Sequence, residues 1–319
     1  MNRSLVSCCL RLAVAAGIVL AGCEAPKPNV NTPTSGRLIV FVDDLYFPLV
    51  KTMSDTFMIR NPNAKVELRP MPARMAVQQL FDQFARDTAR TDTSAAYAIV
   101  IGRPLLADEQ EAIARTHIES KEYLIAYDAL AVAVSASSPL TKGTREGLKR
   151  ALGEKAPTAA MLDTTAAPGP IRFILADQNS STYSFVLKEF LHADAVAAPA
   201  RYYSTGDSVV AAVRAGEGLG VIGWWAAQRD SAHVRTLALG FVDSSGAHHP
   251  PAIAHPTSLV TDAYPLKMPL MGYSFSSYKS LAIGYLAWLA RSQDAQYFLA
   301  HQGLQPANVK IRIVMPEHE

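Results

Sequence analysis

Hydrophobic residues along this chain form continuous runs that alternate with stripes at helical spacing. Residues 38–42 (LIVFV) are apolar without interruption, which is typical of a strand buried on both faces of a sheet. Leu49, Met53 and Phe57 follow at the spacing of one helix face, and residues 61–63 (NPN) end that pattern. Repeated alternation of this kind predicts an α/β architecture with parallel sheets.

The alternation continues through most of the chain. Further strands are predicted over residues 66–68, 97–101, 123–135, 171–175 and 218–225. Helices are predicted to begin at Asp44, as an N-cap, and to cover residues 77–84, 144–152, 183–191 and 205–213. The glycines of residues 218–223 have neither the spacing nor the position of a dinucleotide-binding loop, so no nucleotide cofactor is predicted.

The amino-terminal residues have the layout of an export signal. Arg3 and Arg11 precede a short apolar run at residues 12–20, and small residues lead to Cys23. A membrane-spanning helix needs about 20 apolar residues, so this run is too short to be one. The sequence Leu20-Ala21-Gly22-Cys23 resembles the lipobox of bacterial lipoproteins, which implies that Cys23 is acylated and becomes the first mature residue. The alternative is an ordinary cleavable signal with an incidental cysteine.

Removal of residues 1–22 changes the charge and the cysteine content. Lys and Arg number 30 against 28 Asp and Glu, and the leader takes two arginines, which leaves 28 against 28. A nearly neutral chain does not indicate a nucleic-acid partner. Cys8 and Cys9 leave with the leader, so neither an internal disulfide nor a cysteine nucleophile is expected. Residues 23–35 are rich in proline and polar residues and are predicted to be a lipidated tether.

Residues 179–182 are the strongest candidate for an anion-binding loop. Asn179, Ser180, Ser181 and Thr182 lie between a predicted strand and a strongly amphipathic helix. Hydroxyl groups and backbone N–H groups at a helix start can bind an oxyanion without a formal positive charge. The alternative is an ordinary N-cap with its flanking residues, since serine and threonine are common caps.

Arginines and histidines supply further candidates. Arg103 follows a predicted strand, where α/β ligands bind, and is expected either to contact an oxyanion or to pair with Asp108 or Glu109. Arg74, which opens a predicted helix, is a second candidate cation. The histidines of residues 248–255 have no neighbouring carboxylate in the sequence, so a metal site is not predicted. No grouping of serine, histidine and acid indicates an enzyme.

The order of several short segments resembles the phosphate-binding component of bacterial phosphate ABC transporters, in the type II periplasmic binding protein class. The segments that carry the resemblance are residues 36–40 (GRLIV), 60–62 (RNP), 103–105 (RPL), 125–130 (IAYDAL), 177–182 (DQNSST), 220–223 (GVIG), 264–266 (YPL) and 300–306 (AHQGLQP). The resemblance implies a two-lobed periplasmic-binding-protein-like α/β fold. Each lobe would be a mostly parallel sheet flanked by helices, with two crossover strands. It implies a first lobe of residues 36–126 and 248–319 and a second lobe of residues 127–247.

The resemblance also implies a function. It predicts a monomeric solute-binding protein on the periplasmic side, anchored by the lipid on Cys23, that delivers inorganic phosphate or a related oxyanion to an ABC permease. The alternative is a binding or structural lipoprotein on the same fold that has lost affinity for phosphate.

Two departures from the family pattern bear on the ligand. The family's Gly-Ser-Gly loop is absent beside Arg74, and Asp43, Asp44 and Leu45 stand where Ser or Thr is usual. Backbone N–H groups from Leu45 onward remain available to an anion. An aspartate there would require a proton on the ligand, which phosphate has and sulfate lacks at neutral pH.

Overall fold

The computed structural model describes residues 31–87, 95–116, 119–275 and 280–308. Cys23, the leader and most of the predicted tether lie outside these residues, so those predictions are not tested by the structure. Among the described residues no helix is long and apolar enough to cross a membrane.

Each of the six predicted strands has a counterpart among the described residues, and seven further strands were not predicted. The strands are β1 Gly36–Asp43, β2 Ala64–Met71, β3 Ala95–Ile101, β4 Lys121–Ser135, β5 Lys142–Thr144, β6 Phe173–Ala176, β7 Ala200–Tyr203, β8 Leu219–Gly223, β9 Val234–Thr236, β10 Ala238–Val242, β11 His248–Ala252, β12 Lys267–Ser274 and β13 Gln305–Pro306. The helices are α1 Phe47–Arg60, α2 Ala73–Asp87, α3 Ala107–Thr116, α4 Arg145–Gly153, α5 Ala159–Leu162, α6 Ser181–Phe185, α7 Gly206–Arg214, α8 Trp224–Gln228, α9 Pro256–Val260, α10 Leu281–Arg291 and α11 Gln293–His301. The predicted α/β fold class is confirmed.

One mixed sheet runs through the described part of the chain in the order β2-β1-β3-β12-β4-β8-β6-β7. β1 is parallel to β2 and β3, and β6 is parallel to β7 and β8. β12 is antiparallel to β3 and β4, and β4 is antiparallel to β8. The predicted parallel pairing therefore holds within each group of strands, and antiparallel strands join the two groups.

β4 connects the two groups of strands. Its first part, up to Ala129, pairs with β12, and from Leu130 to Ala133 it pairs with β8. The strand is buried along most of its length, as its alanine- and valine-rich sequence predicts. β11 pairs with β10 in a separate three-stranded sheet, and the boundaries at residues 127 and 248 stay predictions.

Two local predictions were wrong. Trp224 and Trp225 begin α8 rather than end a strand, because the apolar run continues across a change of structure at Gly223. The stripe over residues 183–191 is not one α-helix: α6 ends at Phe185 and a π-helical segment continues to Leu191.

Candidate functional site

The carboxyl ends of three strands meet at one place in the sheet. The backbone N–H of Gly102, directly after β3, donates to the Ser181 hydroxyl at 2.9 Å and to the Asp43 carboxylate at 3.3 Å. Asp43 is the last residue of β1, and Ser181 begins the helix that follows β6. At the start of α2, Arg74 donates its backbone N–H to the Asn179 carbonyl at 2.9 Å. Candidate residues from four separate stretches are thus neighbours.

The turn after β1 is organised by Asp43. The Leu45 N–H donates to the Asp43 carboxylate at 3.2 Å and to the Asp44 carboxylate at 3.0 Å. A 3-10 turn covers Asp44–Tyr46, and α1 begins only at Phe47. The prediction that Asp44 caps the first helix was wrong, since Asp43 caps this turn instead. The buried Asp43 carboxylate accepts from the N–H groups of both Leu45 and Gly102, which are donors that an oxyanion would also use.

Asp44 is the titratable carboxyl of this turn. Its partial burial, the charge of Asp43, a hydrogen bond with Asp43 and the charge of Asp177 raise the pKa of Asp44 to about 7. The Leu45 N–H works in the opposite direction. The carboxyl of Asp44 can therefore be either a hydrogen-bond acceptor or a donor near neutral pH.

The hydroxyls of residues 180–182 have different roles. Ser180 is the N-cap of α6, and its hydroxyl accepts from the Tyr183 N–H at 3.1 Å. The Asp177 carboxylate shapes the loop by accepting from the Asn179 N–H at 2.7 Å. Ser181 and Thr182 are both buried, and Ser181 reaches across to the turn after β3. The Ser180 hydroxyl is thus an ordinary helix cap, which was the alternative interpretation of this loop. The Ser181 hydroxyl instead lies beside the ends of β1 and β3.

Gly102 is required where these strand ends meet. A Cβ atom at this position would lie 2.4 Å from Cε2 of Tyr46 and 3.2 Å from Cβ of Ser181. Such distances are too short for non-bonded carbon atoms, so any side chain would push the two elements apart.

Arg103 lies just beyond Gly102 but does not face an open site. Its side chain is 1% exposed, and its Nη1 and Nη2 donate to the two carboxylate oxygens of Glu109 at 2.7 and 2.8 Å. Nη1 also donates to the Pro104 carbonyl, and the Leu106 N–H donates to Glu109. Arg103 was expected either to contact an oxyanion or to pair with Asp108 or Glu109, and in the structure it pairs with Glu109.

Arg74 is also paired with acids. Its guanidinium forms an ion pair with Asp108 and lies 3.6 Å from Glu109. The hydrogen bond from Arg74 lowers the pKa of Asp108. Both candidate arginines are therefore paired with carboxylates of α3.

A small cavity adjoins this group of residues. Its volume is about 210 Å³, and it is lined on one side by Asp44 and Leu45 and on the other by Thr205 and Gly206 at the start of α7. Arg229 also lines it and forms an ion pair with Asp207 at 3.2 Å. The sequence analysis did not predict that Gly206 and Arg229 line this cavity. The helix cap at Thr205 was the sequence signal that could have indicated a helix start there.

Two of the three histidines of residues 248–255 have structural partners. The His249 ring stacks on Phe241 with centroids 4.2 Å apart, and its Nε2 lies 2.8 Å from the Asp243 carboxylate. His255 contacts Trp224 edge to face. The described residues contain no group of three or more metal-ligating side chains close enough to bind an ion.

Helix starts and strand ends that converge between the halves of an α/β sheet are typical of a fold that binds a ligand in the crevice between them. The chain belongs to the family of the PBP (periplasmic binding protein) superfamily domain, whose sequence model matches residues 28–293. This is a family of solute-binding proteins, and the predicted two-lobed type II fold is confirmed. A search of curated protein sequences gave no match to this chain.

Solved structures share the fold at low sequence identity. A Clostridium perfringens protein, described as a phosphate ABC transporter substrate-binding protein with bound phosphate, has a TM-score of 0.66 and 15% identity, covering 86% of this chain and 100% of that one. An ABC-type phosphate transport receptor from Vibrio cholerae has a TM-score of 0.60 and 15% identity, covering 84% and 99%. The regulatory domain of MetR, a LysR family regulator from N. meningitidis, has a TM-score of 0.50 and 11% identity, covering 85% and 97%. At these identities the likeness concerns the fold alone.

Proposed function

We propose that this protein captures inorganic phosphate or a related oxyanion between its two lobes and delivers it to an ABC permease. It does so on the extracytoplasmic side of a membrane, as a monomer held by the lipid on Cys23. The likeness to phosphate-binding proteins and the family membership support the class of ligand. The lipobox and the short leader support the location.

The observation that carries this proposal is the contact between the turn after β3 and the hydroxyl loop. The Gly102 N–H and the Ser181 hydroxyl are 2.9 Å apart and belong to different groups of strands. Neutral donors from both sides are what a small anion without apolar surface requires. An oxyanion that takes the place of the Ser181 oxygen at Gly102 would bridge the two lobes and favour their closure.

Asp44 gives the proposed site its selectivity. Its carboxyl lies in the same turn as Leu45 and lines the small cavity. When ionised, the Asp44 carboxylate can accept a hydrogen bond from a protonated oxygen of phosphate, whereas sulfate offers no such donor. Phosphate is therefore favoured over sulfate as the ligand.

A second candidate function is favoured by the carboxylates of the site. Asp43 already accepts from the N–H groups of Leu45 and Gly102, and Glu109 already holds Arg103. A protein with its donors engaged in this way can have lost affinity for phosphate while it keeps the fold. It would then bind another ligand or a protein partner.

Loss of hydroxyl donors tests the proposed site. We expect the double variant Ser181→Ala/Thr182→Val to bind phosphate at least about tenfold more weakly, since each hydrogen bond to a charged ligand contributes about 1.5–3 kcal/mol. Isothermal titration calorimetry of the wild-type and variant proteins measures the difference.

Ser54→Ala is the matched control. Its hydroxyl is equally buried but contacts the Tyr285 hydroxyl in α10 at 2.6 Å, away from the strand ends. It should leave phosphate affinity unchanged. If the double variant binds phosphate as tightly as the wild type, the site lies elsewhere. If the wild type itself does not bind phosphate, the second candidate function is favoured.

The lipid anchor has its own test. We expect Cys23→Ala to prevent acylation, so that the protein either accumulates unprocessed or leaves the membrane fraction. Detergent-phase partitioning compared with the wild type measures this. A variant that partitions and migrates like the wild type would contradict the lipoprotein assignment.

A further inference from the structure

Asp128 lies in the centre of β4, at the point where the strand changes partners. Ala129, the next residue, is paired with Lys267 of β12, and Leu130 is paired with Gly223 of β8. Asp128 is fully buried. An acidic side chain in the middle of a buried strand is costly unless donors surround it.

Three donors from three elements meet this carboxylate. The Tyr46 hydroxyl donates to Oδ2 at 3.0 Å. The backbone N–H groups of Trp225 and Ala129 donate to Oδ1 at 3.1 and 2.7 Å. Among the described residues no cation forms an ion pair with it, and burial raises the pKa of Asp128 to about 6.

Two of these donors come from segments that follow strands of different parallel groups. Tyr46 ends the 3-10 turn that contains Asp44 and Leu45, whereas Trp225 lies in the first turn of α8, directly after β8. The rings of Tyr46 and Trp225 also pack together, with centroids 6.1 Å apart. One carboxylate therefore connects the turn after β1 to α8.

The backbone leaves room for this arrangement. A Cβ atom at Gly223 would lie 2.7 Å from Oδ2 of Asp128 and 3.1 Å from Cδ2 of Leu45. A glycine at the end of β8 thus lets both the carboxylate and the turn approach the strand closely.

We propose that Asp128 is a positioning residue for ligand binding, which holds the Asp44–Tyr46 turn against α8 through the Tyr46 hydroxyl. The identity of the ligand in this inference rests on the proposed function. Loss of the Tyr46 hydroxyl leaves Oδ2 of Asp128 without this donor. It also removes the hydrogen bond that connects β4 to the turn that carries the Leu45 N–H. The turn then has to be ordered when the ligand binds, which lowers affinity.

Two tyrosine variants test this role. Tyr46→Phe removes the hydroxyl that reaches Asp128, and Tyr264→Phe is the control. Tyr264 is similarly buried, and its hydroxyl donates to the Leu130 carbonyl of the same strand at 2.9 Å. We expect Tyr46→Phe to weaken phosphate binding by about tenfold and Tyr264→Phe to leave it unchanged, even where both lower the melting temperature. Equal affinities in the two variants would overturn the inference.

Conservative replacement separates positioning from bulk packing. Asp128→Asn keeps an oxygen for the Trp225 and Ala129 N–H groups, and its amide can donate to the Tyr46 oxygen. We expect it to retain most of the affinity, whereas Asp128→Ala should lose it. An Asp128→Asn variant as impaired as Asp128→Ala in binding would contradict this role.

Amide hydrogen exchange provides a readout that does not depend on phosphate. In the ligand-free protein, Tyr46→Phe should speed exchange of the Leu45 amide by about tenfold relative to amides of β4, and Tyr264→Phe should not. If the wild type does not bind phosphate, the proposed function fails while this measurement still decides the role of Asp128. Identical exchange at Leu45 in both variants would overturn it.

Discussion

Arg103→Leu is expected to lower the free energy of unfolding by about 3–5 kcal/mol, because it leaves the Glu109 carboxylate buried without its partner. Glu109 is 6% exposed, and among the described residues it would keep the Leu106 N–H and the Arg74 guanidinium 3.6 Å away. Chemical denaturation monitored by tryptophan fluorescence measures the change. Because the turn after β3 carries Gly102, the variant should also bind ligand more weakly.

Two further variants test whether the loss of stability in Arg103→Leu comes from the unpaired Glu109 carboxylate. Arg103→Leu/Glu109→Leu removes both charges and should recover much of the stability, since replacing a whole buried pair by apolar residues is often neutral. Arg37→Ala breaks an exposed pair with Glu67 and should cost less than about 1 kcal/mol. A loss in Arg103→Leu no larger than that in Arg37→Ala would show that the buried pair does not stabilise the fold.

The preference for phosphate over sulfate is expected to be large at pH 8 and to narrow by at most about tenfold per pH unit as the pH falls through 7. Asp44, with a pKa of about 7, is mostly ionised at pH 8 and repels an anion that brings no proton. At lower pH the neutral carboxyl of Asp44 can donate to a sulfate oxygen. Calorimetric titrations of both anions, at pH values about one unit apart between about pH 5.5 and pH 8, measure how the phosphate-to-sulfate affinity ratio depends on pH.

Asp44→Asn should remove this pH dependence, because its amide can donate to either anion at every pH. Asp207→Asn is the control, since Asp207 lines the same cavity but is exposed. A selectivity profile that is the same in the wild type and in Asp44→Asn would remove Asp44 from the site.

The raised pKa of Asp44 also affects the stability of the wild-type protein. In the unfolded chain this carboxyl ionises near its ordinary pKa, whereas in the folded protein it keeps its proton up to about pH 7. Its contribution to the free energy of unfolding should therefore fall as the pH rises from about 4 to about 7.

Six of the thirteen described strands could be predicted from the sequence, because most of these buried strands leave uninterrupted apolar runs. β1 begins two residues before its predicted run and ends one residue after it, and β3 begins two residues before its run. Most of the strands that were not predicted have five residues or fewer, too few to show a pattern. The failure at Trp224 and Trp225 has a different origin: an apolar run that passes from a strand into a buried helix contains no polar residue to mark the change. The antiparallel insertion of β12 has no local signal, because strand direction depends on residues far apart in sequence.

The candidate site was predictable to the extent that it lies at strand ends. Asp43 and Gly102 end or follow strands of one parallel group, where ligands of α/β proteins bind, whereas Ser181 follows β6 of the other group. The strand ends alone therefore predict that Asp43 and Gly102 are neighbours, but not that Ser181 joins them. The partner of Arg103 could not be chosen from sequence, since an oxyanion and the carboxylate of Glu109 offer the same pair of oxygens. Asp128 gave no signal as a site residue, because its donors come from residues 82 and 97 positions away.

The place of β12 in the sheet limits the order in which this chain can fold. β12 lies between β3 and β4, so the central strands cannot pair until residues 267–274 are available. Nearly the whole chain must therefore be present before the core closes, and contacts of such long range slow folding. A core that closes late would not compete with the export that the sequence of residues 1–22 predicts.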